Sequence, residues 1–278
     1  MQIWQSKTSD FEGEQEALAV AYRSDGLPLV PPTMDRVTTM LAANGYAVDE
    51  EIAMLPPGFE TATAGDIAIC AVLAGCKPEY LPVLIAAVEA LSDMSFNLVG
   101  IGTTTGSAAP IYIVNGAIAG QIGLNGKNNA LGGGHRANAT IGRAMTLILQ
   151  NIGNAVPGET DMATLGQPAK FSCCFAENAA ESPWAPLHVE RGFSADTSVV
   201  TAVGIGGTVE VVDSDSPDAM GLAQTFAQSM LIAGTSGGAG LLASRFNVSA
   251  TAPCGKVAFA GSIANTPSCN LACTSMAL

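Results

Sequence analysis

The stretch GDIAICAVLAGCKPEYLPVLIAAVEALSD, residues 65–93, decides the fold class. It reads as two nearly all-apolar helices, with Gly75 and Pro78 punctuating the junction and Pro82 blurring the start of the second. Lys77, Glu79 and Glu89 are its wet points. A helix that is apolar all round has no solvent face and must lie inside a core. Whatever flanks this pair therefore has to cover it.

The flanking sequence supplies alternating covers. Residues 11–23 read as a surface helix ended by SDGLP, and LPLVPPT is extended because residues before proline are pushed out of the α region. Thr33 reads as an N-cap, Asp35 favours the first turn, and Val37, Met40 and Leu41 form a buried stripe ended by Gly45. FNLVGIG (96–102) and PIYIVNG (110–116) read as strands, as do KFSCCF (170–175), SVVTAVGI (198–205) and TVEVVD (208–213). Ile141, Met145, Ile148 and Ile152 mark an amphipathic helix, and residues 217–234 a further buried one. Interleaved strands and helices predict an α/β fold, a mixed sheet with buried apolar helices, in a single domain over residues 1–240.

Residues 241–278 form an atypical tail. Asp218 is the last acid, so the final 60 residues hold none of the chain's 24. The tail keeps neither helical nor strand periodicity for long. A buried irregular segment and a slipped, and thus altered, reading frame both account for it.

The net charge is −13, with 11 Lys and Arg dispersed among 24 acids. Nucleic-acid binding needs clustered cations to neutralise phosphates, so that function is excluded, and anionic membrane surfaces are disfavoured likewise. Residues 94–126 carry no charge, but Gly, Thr, Pro110 and Asn115 break them into apolar runs of about seven residues, too short to span a bilayer. Acids at Asp10, Glu12, Glu14 and Glu16 stand where a secretory signal would be apolar, which predicts a cytosolic address. Only 13% of residues are charged, which predicts a homo-oligomer that removes apolar surface from water.

Three polar clusters are candidate sites. In LGGGHRANATIGRAMTLILQNIGNA (131–155), three glycines lead through His135 and Arg136 into a helix, with Asn138 or Thr140 as its cap and Arg143 beyond. Helix N-termini present unpaired N–H groups and a partial positive charge, so this turn can hold an anion. In GIGTTTGSAAP (100–110), Thr103, Thr104, Thr105 and Ser107 offer hydroxyls between two strands. In FAENAAESPWAPLHVERGF (175–193), Glu177 and Asn178 leave a strand, where open α/β sheets place ligands, and His188 can pair with Glu177 or Glu190 for proton transfer. A plain turn, plain loop chemistry and a Pro-pinned loop stapled by a Glu–Arg pair and an anchored Trp184 are the ordinary alternatives.

Other groups carry less. Two histidines are too few for a His-based metal site, and Asp213, Asp215 and Asp218 are spaced as solvated turns. Seven cysteines lack any CxxC motif, so buried free thiols are expected; Cys173 and Cys174, on a strand, should face opposite ways.

SDGLPLVPPT, AGCKPEYLPVLIAAVEA, TTTGSAAPIYIVNG, RANATIGRA and CFAENAAESPWAPLHVERGF resemble an uncharacterised bacterial family associated with UGSC-type proteins, named for a selenocysteine or cysteine motif. The resemblance covers roughly residues 24–235 and implies an enzyme-like protein working beside a thiol- or selenol-based partner, with no reaction attached. His135 stands where the family has an aromatic residue, and Gly106 where many members have histidine. The first departure leaves Arg136 and Asn138 as the better candidates in the glycine turn.

The combined expectation is a cytosolic enzyme or enzyme subunit acting on a small anionic or carbonyl-containing molecule. Arg136, Arg143, Asn138, Asn178, Thr103 and Thr105 would bind the substrate; Thr104, Glu177 and His188 would carry the chemistry. No metal is expected and no cofactor is assigned. The alternative is a non-catalytic binding or scaffold subunit for a thiol or selenol redox protein. The one-site version requires Arg136, Glu177 and Thr104 to meet in space.

Overall fold

A computed structural model describes residues 1–6 and 10–233, with three short strands at 244–245, 263–264 and 273–277. The chain opens with helices α1 (Phe11–Ala21) and α2 (Met34–Ala42), then a hairpin of β1 (Glu51–Leu55) and β2 (Glu60–Thr63). The apolar pair follows as α3 (Ala64–Ala74) and α4 (Leu81–Ser92), then α5 (Leu98–Gly102), β3 (Ala109–Asn115), α6 (Ala117–Gln121) and α7 (Arg136–Asn151). β4 (Cys174–Ala176), α8 (Leu187–Glu190), β5 (Val199–Ile205) and α9 (Ala219–Ala233) come next. Last are β6 (Ser244–Arg245), β7 (Ile263–Ala264) and β8 (Cys273–Ala277).

Every residue of α3 except Asp66 is buried, and in α4 only Pro82, Glu89 and Ser92 are not. Thr63 caps α3 by accepting from the Asp66 N–H at 3.1 Å. At its other end Gly75 takes the left-handed conformation, φ +86°, which a side chain would resist. α2, α4, α7 and β2 surround α3. Each fully buried Leu, Ile or Val on these helices contributes about 1.5–3 kcal/mol relative to an exposed one.

The main sheet has the order β4-β3-β5-β8 and is mixed: β3 and β4 run parallel, while β5 is antiparallel to both β3 and β8. The fold is thus α/β, as the interleaved elements predicted. Alternation along the strands separates two faces. Tyr112, Val114, Cys174, Ala176, Val200 and Ala202 join the helical core. Ala109, Ile111, Phe175 and Ile205 form a second cluster with Ala169 on the other face. No helix among the described residues is long and apolar enough to cross a membrane.

Several expected elements differ. FNLVGIG is helical rather than extended: Asn97 accepts from the Gly100 N–H, and Leu98 and Ile101 are buried three residues apart, a helical spacing. Of KFSCCF only the end is strand, because Pro168 opens a 3-10 turn over Pro168–Lys170. Residues 208–213 find no strand partner among the described residues, and Val212 is exposed. α9 forms, but none of its described side chains is buried. The β1–β2 hairpin was not anticipated. Of the tail, β6, β7 and β8 are described, and β8 extends the main sheet; the thiols Cys254 and Cys269 lie outside the described residues.

α7 begins at Arg136, with His135 at the N-cap, three residues before the first expected cap, Asn138, and no capping side-chain bond. Its Arg143 binds Asp25 bidentately through one guanidinium edge, Nε donating to Oδ2 at 2.5 Å and Nη2 to Oδ1 at 2.8 Å. The two side chains are only 12% and 3% exposed, so the pair is locked inside the joint between α7 and the loop after α1. Removing one partner strands the other charge. Asp25→Asn is therefore expected to lower unfolding stability by about 3–5 kcal/mol, read as a shift of the urea midpoint.

Candidate functional site

The carboxyl ends of the parallel strands β3 and β4 lie side by side, and each carries a polar residue. Asn115 closes β3 and is buried; Glu177 follows β4 and is half-buried. The two are joined by a hydrogen bond from Asn115 Nδ2 to Glu177 Oε2. The same carboxylate oxygen accepts from the Leu187 N–H at 2.9 Å, at the start of α8. Glu177 Oε1 accepts no hydrogen bond among the described residues.

His188, next along α8, is buried, with Nε2 3.5 Å from the Ala195 carbonyl. Its Nδ1 and Asn115 Oδ1 are buried polar atoms without a hydrogen-bond partner among the described residues. Such atoms cost about 1–3 kcal/mol each when left unsatisfied, and they concentrate at functional places.

A loop from α6 to α7 forms the neighbouring wall. Asn125 accepts from the Ala176 N–H through its carbonyl, and Asn138 clasps Asn125, accepting from its N–H at 2.8 Å and donating to its carbonyl at 2.9 Å. Gly126 presses against the end of β4 so closely that a Cβ there would lie 2.3 Å from the Ala176 carbonyl oxygen. Lys127 pairs with Glu181 at 3.2 Å, and Asn178 donates to Glu181 at 3.0 Å. The Asn178 hydrogen bond and the Lys127 ammonium hold Glu181 below the usual carboxylate range. A Lys127–Glu181 pair staples this loop, and Trp184 is half exposed rather than anchored. Asn138, Asn178, Glu177 and His188 are brought to one end of the sheet.

The arginines are not. Arg136 precedes Asn138 by two residues, about 200° around a helix, and so faces another side. It lies on one stripe with Arg143, seven residues on, and each is already committed. Arg136 donates Nε and Nη2 to the Gly75 carbonyl at 3.1 and 2.9 Å, and Arg143 holds Asp25. The anion on this face is the protein's own.

The threonines are also elsewhere. Thr103, Thr104 and Thr105 precede β3, and Thr105 accepts from the Thr164 N–H at 3.0 Å. Glu177 lies past the far end of that seven-residue strand. Six steps of a strand span about 20 Å, so Arg136, Glu177 and Thr104 do not form one site. Locally, Thr103 Oγ1 donates to the Val99 carbonyl, and Thr104 Oγ1 accepts from the Gly106 N–H. These are turn-forming bonds.

Sequence reasoning passed over Asn115 and Tyr112. The signal for Asn115 was present: a carboxamide ending an otherwise apolar strand that must find a buried partner. Tyr112 gave none, because a tyrosine in an apolar strand reads as core. Among the described residues no group of three or more His, Cys, Asp or Glu side chains can hold a metal. Asp213, one of the three spaced aspartates, instead accepts from Ser216 and from the Asp215 N–H.

The chain matches no family model, no curated protein and no solved structure.

The described thiols, Cys70, Cys76, Cys173 and Cys174, are free. Cys174, the first residue of β4, points into the helical core, and Cys173 just before it packs on the opposite face. Burial raises all four, Cys76 to about 12 and Cys173 to about 11. Only a thiolate attacks electrophiles, so they are inert near neutrality. Cys173, the least buried, should be alkylated by iodoacetamide at pH 8 about a hundredfold more slowly than an unperturbed thiol, with a rate that climbs toward pH 11. Peptide mapping by mass spectrometry measures that residue alone.

Proposed function

We propose that the chain is a cytosolic enzyme, or the catalytic subunit of one, that acts on a small carbonyl-containing molecule beside the carboxyl ends of β3 and β4. Glu177 is the proton acceptor. The observation that carries this reading is its carboxylate geometry: Oε2 is fixed by Asn115 and by the Leu187 N–H, while Oε1 is left open. A carboxylate held by one oxygen and free at the other is oriented to take a proton from a bound ligand. His188 Nδ1 and Asn115 Oδ1 are the neighbouring unspent polar atoms, while Asn138, bonded to Asn125 and Ala130, holds the adjoining loop in place.

The carbonyl branch is favoured over the anionic one because Arg143 is spent on Asp25 and Arg136 bonds the Gly75 carbonyl on another side of α7 from Asn138. Thr103, Thr104 and Thr105 have no part in it. Kinship with UGSC-type proteins belongs to the same proposal and rests on the sequence motifs. A homo-oligomer, or docking on a thiol or selenol redox protein, is supported by strongly exposed apolar side chains, Met94 at 95% and Leu165 at 93%.

The chemistry is tested by deuterium exchange at the α-carbons of acetone, dihydroxyacetone and pyruvate, followed by proton NMR in heavy water. Wild-type protein should accelerate exchange into at least one of them, and Glu177→Gln should lose about 10²-fold or more of that acceleration while keeping its circular dichroism. A wild type that accelerates none, or a variant as fast as wild type, removes Glu177 as the acceptor.

A further inference from the structure

A depression of about 470 Å³ opens between the C-terminal end of α7 and strand β2. That volume lies within the roughly 300–1,000 Å³ common for small-molecule sites. Asn151, on its rim, is about 20 Å along α7 from Asn138, so the place is distinct from the end of the sheet that holds Glu177. Arg23, Asn151 and Asn154 enter from the side of α7, Glu60 and Thr61 from β2, and Gly58 joins the two sides through its N–H to the Gly153 carbonyl at 2.8 Å.

Arg23 is fixed before any ligand arrives. The Asn151 carboxamide clasps its backbone, accepting from its N–H at 2.9 Å and donating to its carbonyl at 3.0 Å. Nη1 donates to the Gln150 carbonyl at 2.7 Å and to Asn154 Oδ1 at 2.6 Å. Nε and Nη2 have no acceptor among the described residues, and together they form the planar fork that grips a carboxylate with two parallel hydrogen bonds. The side chain is exposed, so this edge is open to a ligand.

Two carboxylates share the depression. Asp66 is occupied: it pairs with the Met1 ammonium and accepts from the Thr63 hydroxyl at 2.9 Å. Glu60 is exposed and has neither a hydrogen bond nor an ion pair among the described residues. Asn151 is committed to Arg23 and the Leu147 carbonyl, while the Thr61 hydroxyl and Asn154 Nδ2 stay open for other polar atoms of a ligand. One guanidinium edge and one carboxylate thus line the same depression without bonding each other.

We infer that this depression binds the zwitterionic head of a small α-amino acid, its carboxylate on the Nε–Nη2 edge of Arg23 and its ammonium on Glu60. A simple anion would meet Glu60 and a simple cation would meet Arg23, whereas a molecule carrying both charges answers both. The inference stands independently of Glu177.

The test titrates untagged full-length protein, at low ionic strength, with L-alanine, propionate and ethylamine, which carry both charges, the carboxylate alone and the ammonium alone. Amide resonances of Thr61, Asn151 and Asn154 are followed. L-alanine should shift them saturably and bind more tightly than either singly charged analogue. Arg23→Gln should weaken alanine about tenfold, the share of a charged hydrogen-bonded contact. Glu60→Gln, at an exposed position that leaves the fold intact, should weaken it about two- to fivefold. Glu177→Gln should bind alanine as wild type does. No saturable shift with alanine, propionate or ethylamine binding as tightly as alanine, or an unchanged alanine affinity in Glu60→Gln or in a folded Arg23→Gln each overturns the inference.

Discussion

Helix α3 has one charged side chain in eleven residues and cannot meet water on any face. That requirement organises the protein. α2 and α7 pack along it, α4 turns back against it, and the β1–β2 hairpin delivers the chain to its N-terminus. α2, α7 and the hairpin are amphipathic or short, so each can offer an apolar side inward and still be wetted outside, whereas α4 is itself buried at nine of twelve positions and needs a cover of its own. The main sheet then closes the core from the other side of α4 and α7.

Covering α3 fixes what α7 can do. Its buried stripe, Ala137, Ile141, Ala144, Met145 and Ile148, faces the core, so the remaining polar positions are distributed by helical rotation alone. Asn138 turns inward to organise the loop beneath the sheet's carboxyl end, whereas Arg136 and Arg143 fall together on a stripe facing Gly75 and Asp25. In an acidic chain, a guanidinium on that stripe finds an internal oxygen before any ligand. Positive charge near a glycine turn is thus structural here.

β3 distributes the remaining polar chemistry. At its carboxyl end, Asn115 and the neighbouring Glu177 share a hydrogen bond, next to a histidine with an orphaned ring nitrogen. Within the strand, Tyr112 faces the helical side, and its hydroxyl has no partner among the described residues. Parallel pairing with β4 is what places Glu177 beside Asn115, because parallel strands bring their carboxyl ends to one edge.

The α/β class, the buried pair α3 and α4, the stripe of α2 and the strands β3 and β5 were legible in the sequence, because each rests on local periodicity that burial enforces. FNLVGIG was misread because β-rich composition hid a three-residue spacing of Leu98 and Ile101 behind a capping Asn97. The place of Glu177 and Asn178 at a strand end was also legible. The partners were not: the distance from Thr104 to Glu177, the meeting of Arg143 with Asp25 across 118 positions, and the isolation of Tyr112's hydroxyl all depend on which distant segments pack together. Periodicity states which side of an element is dry; only three-dimensional packing decides which polar groups on the other side find each other, because those pairings bridge long separations in the chain.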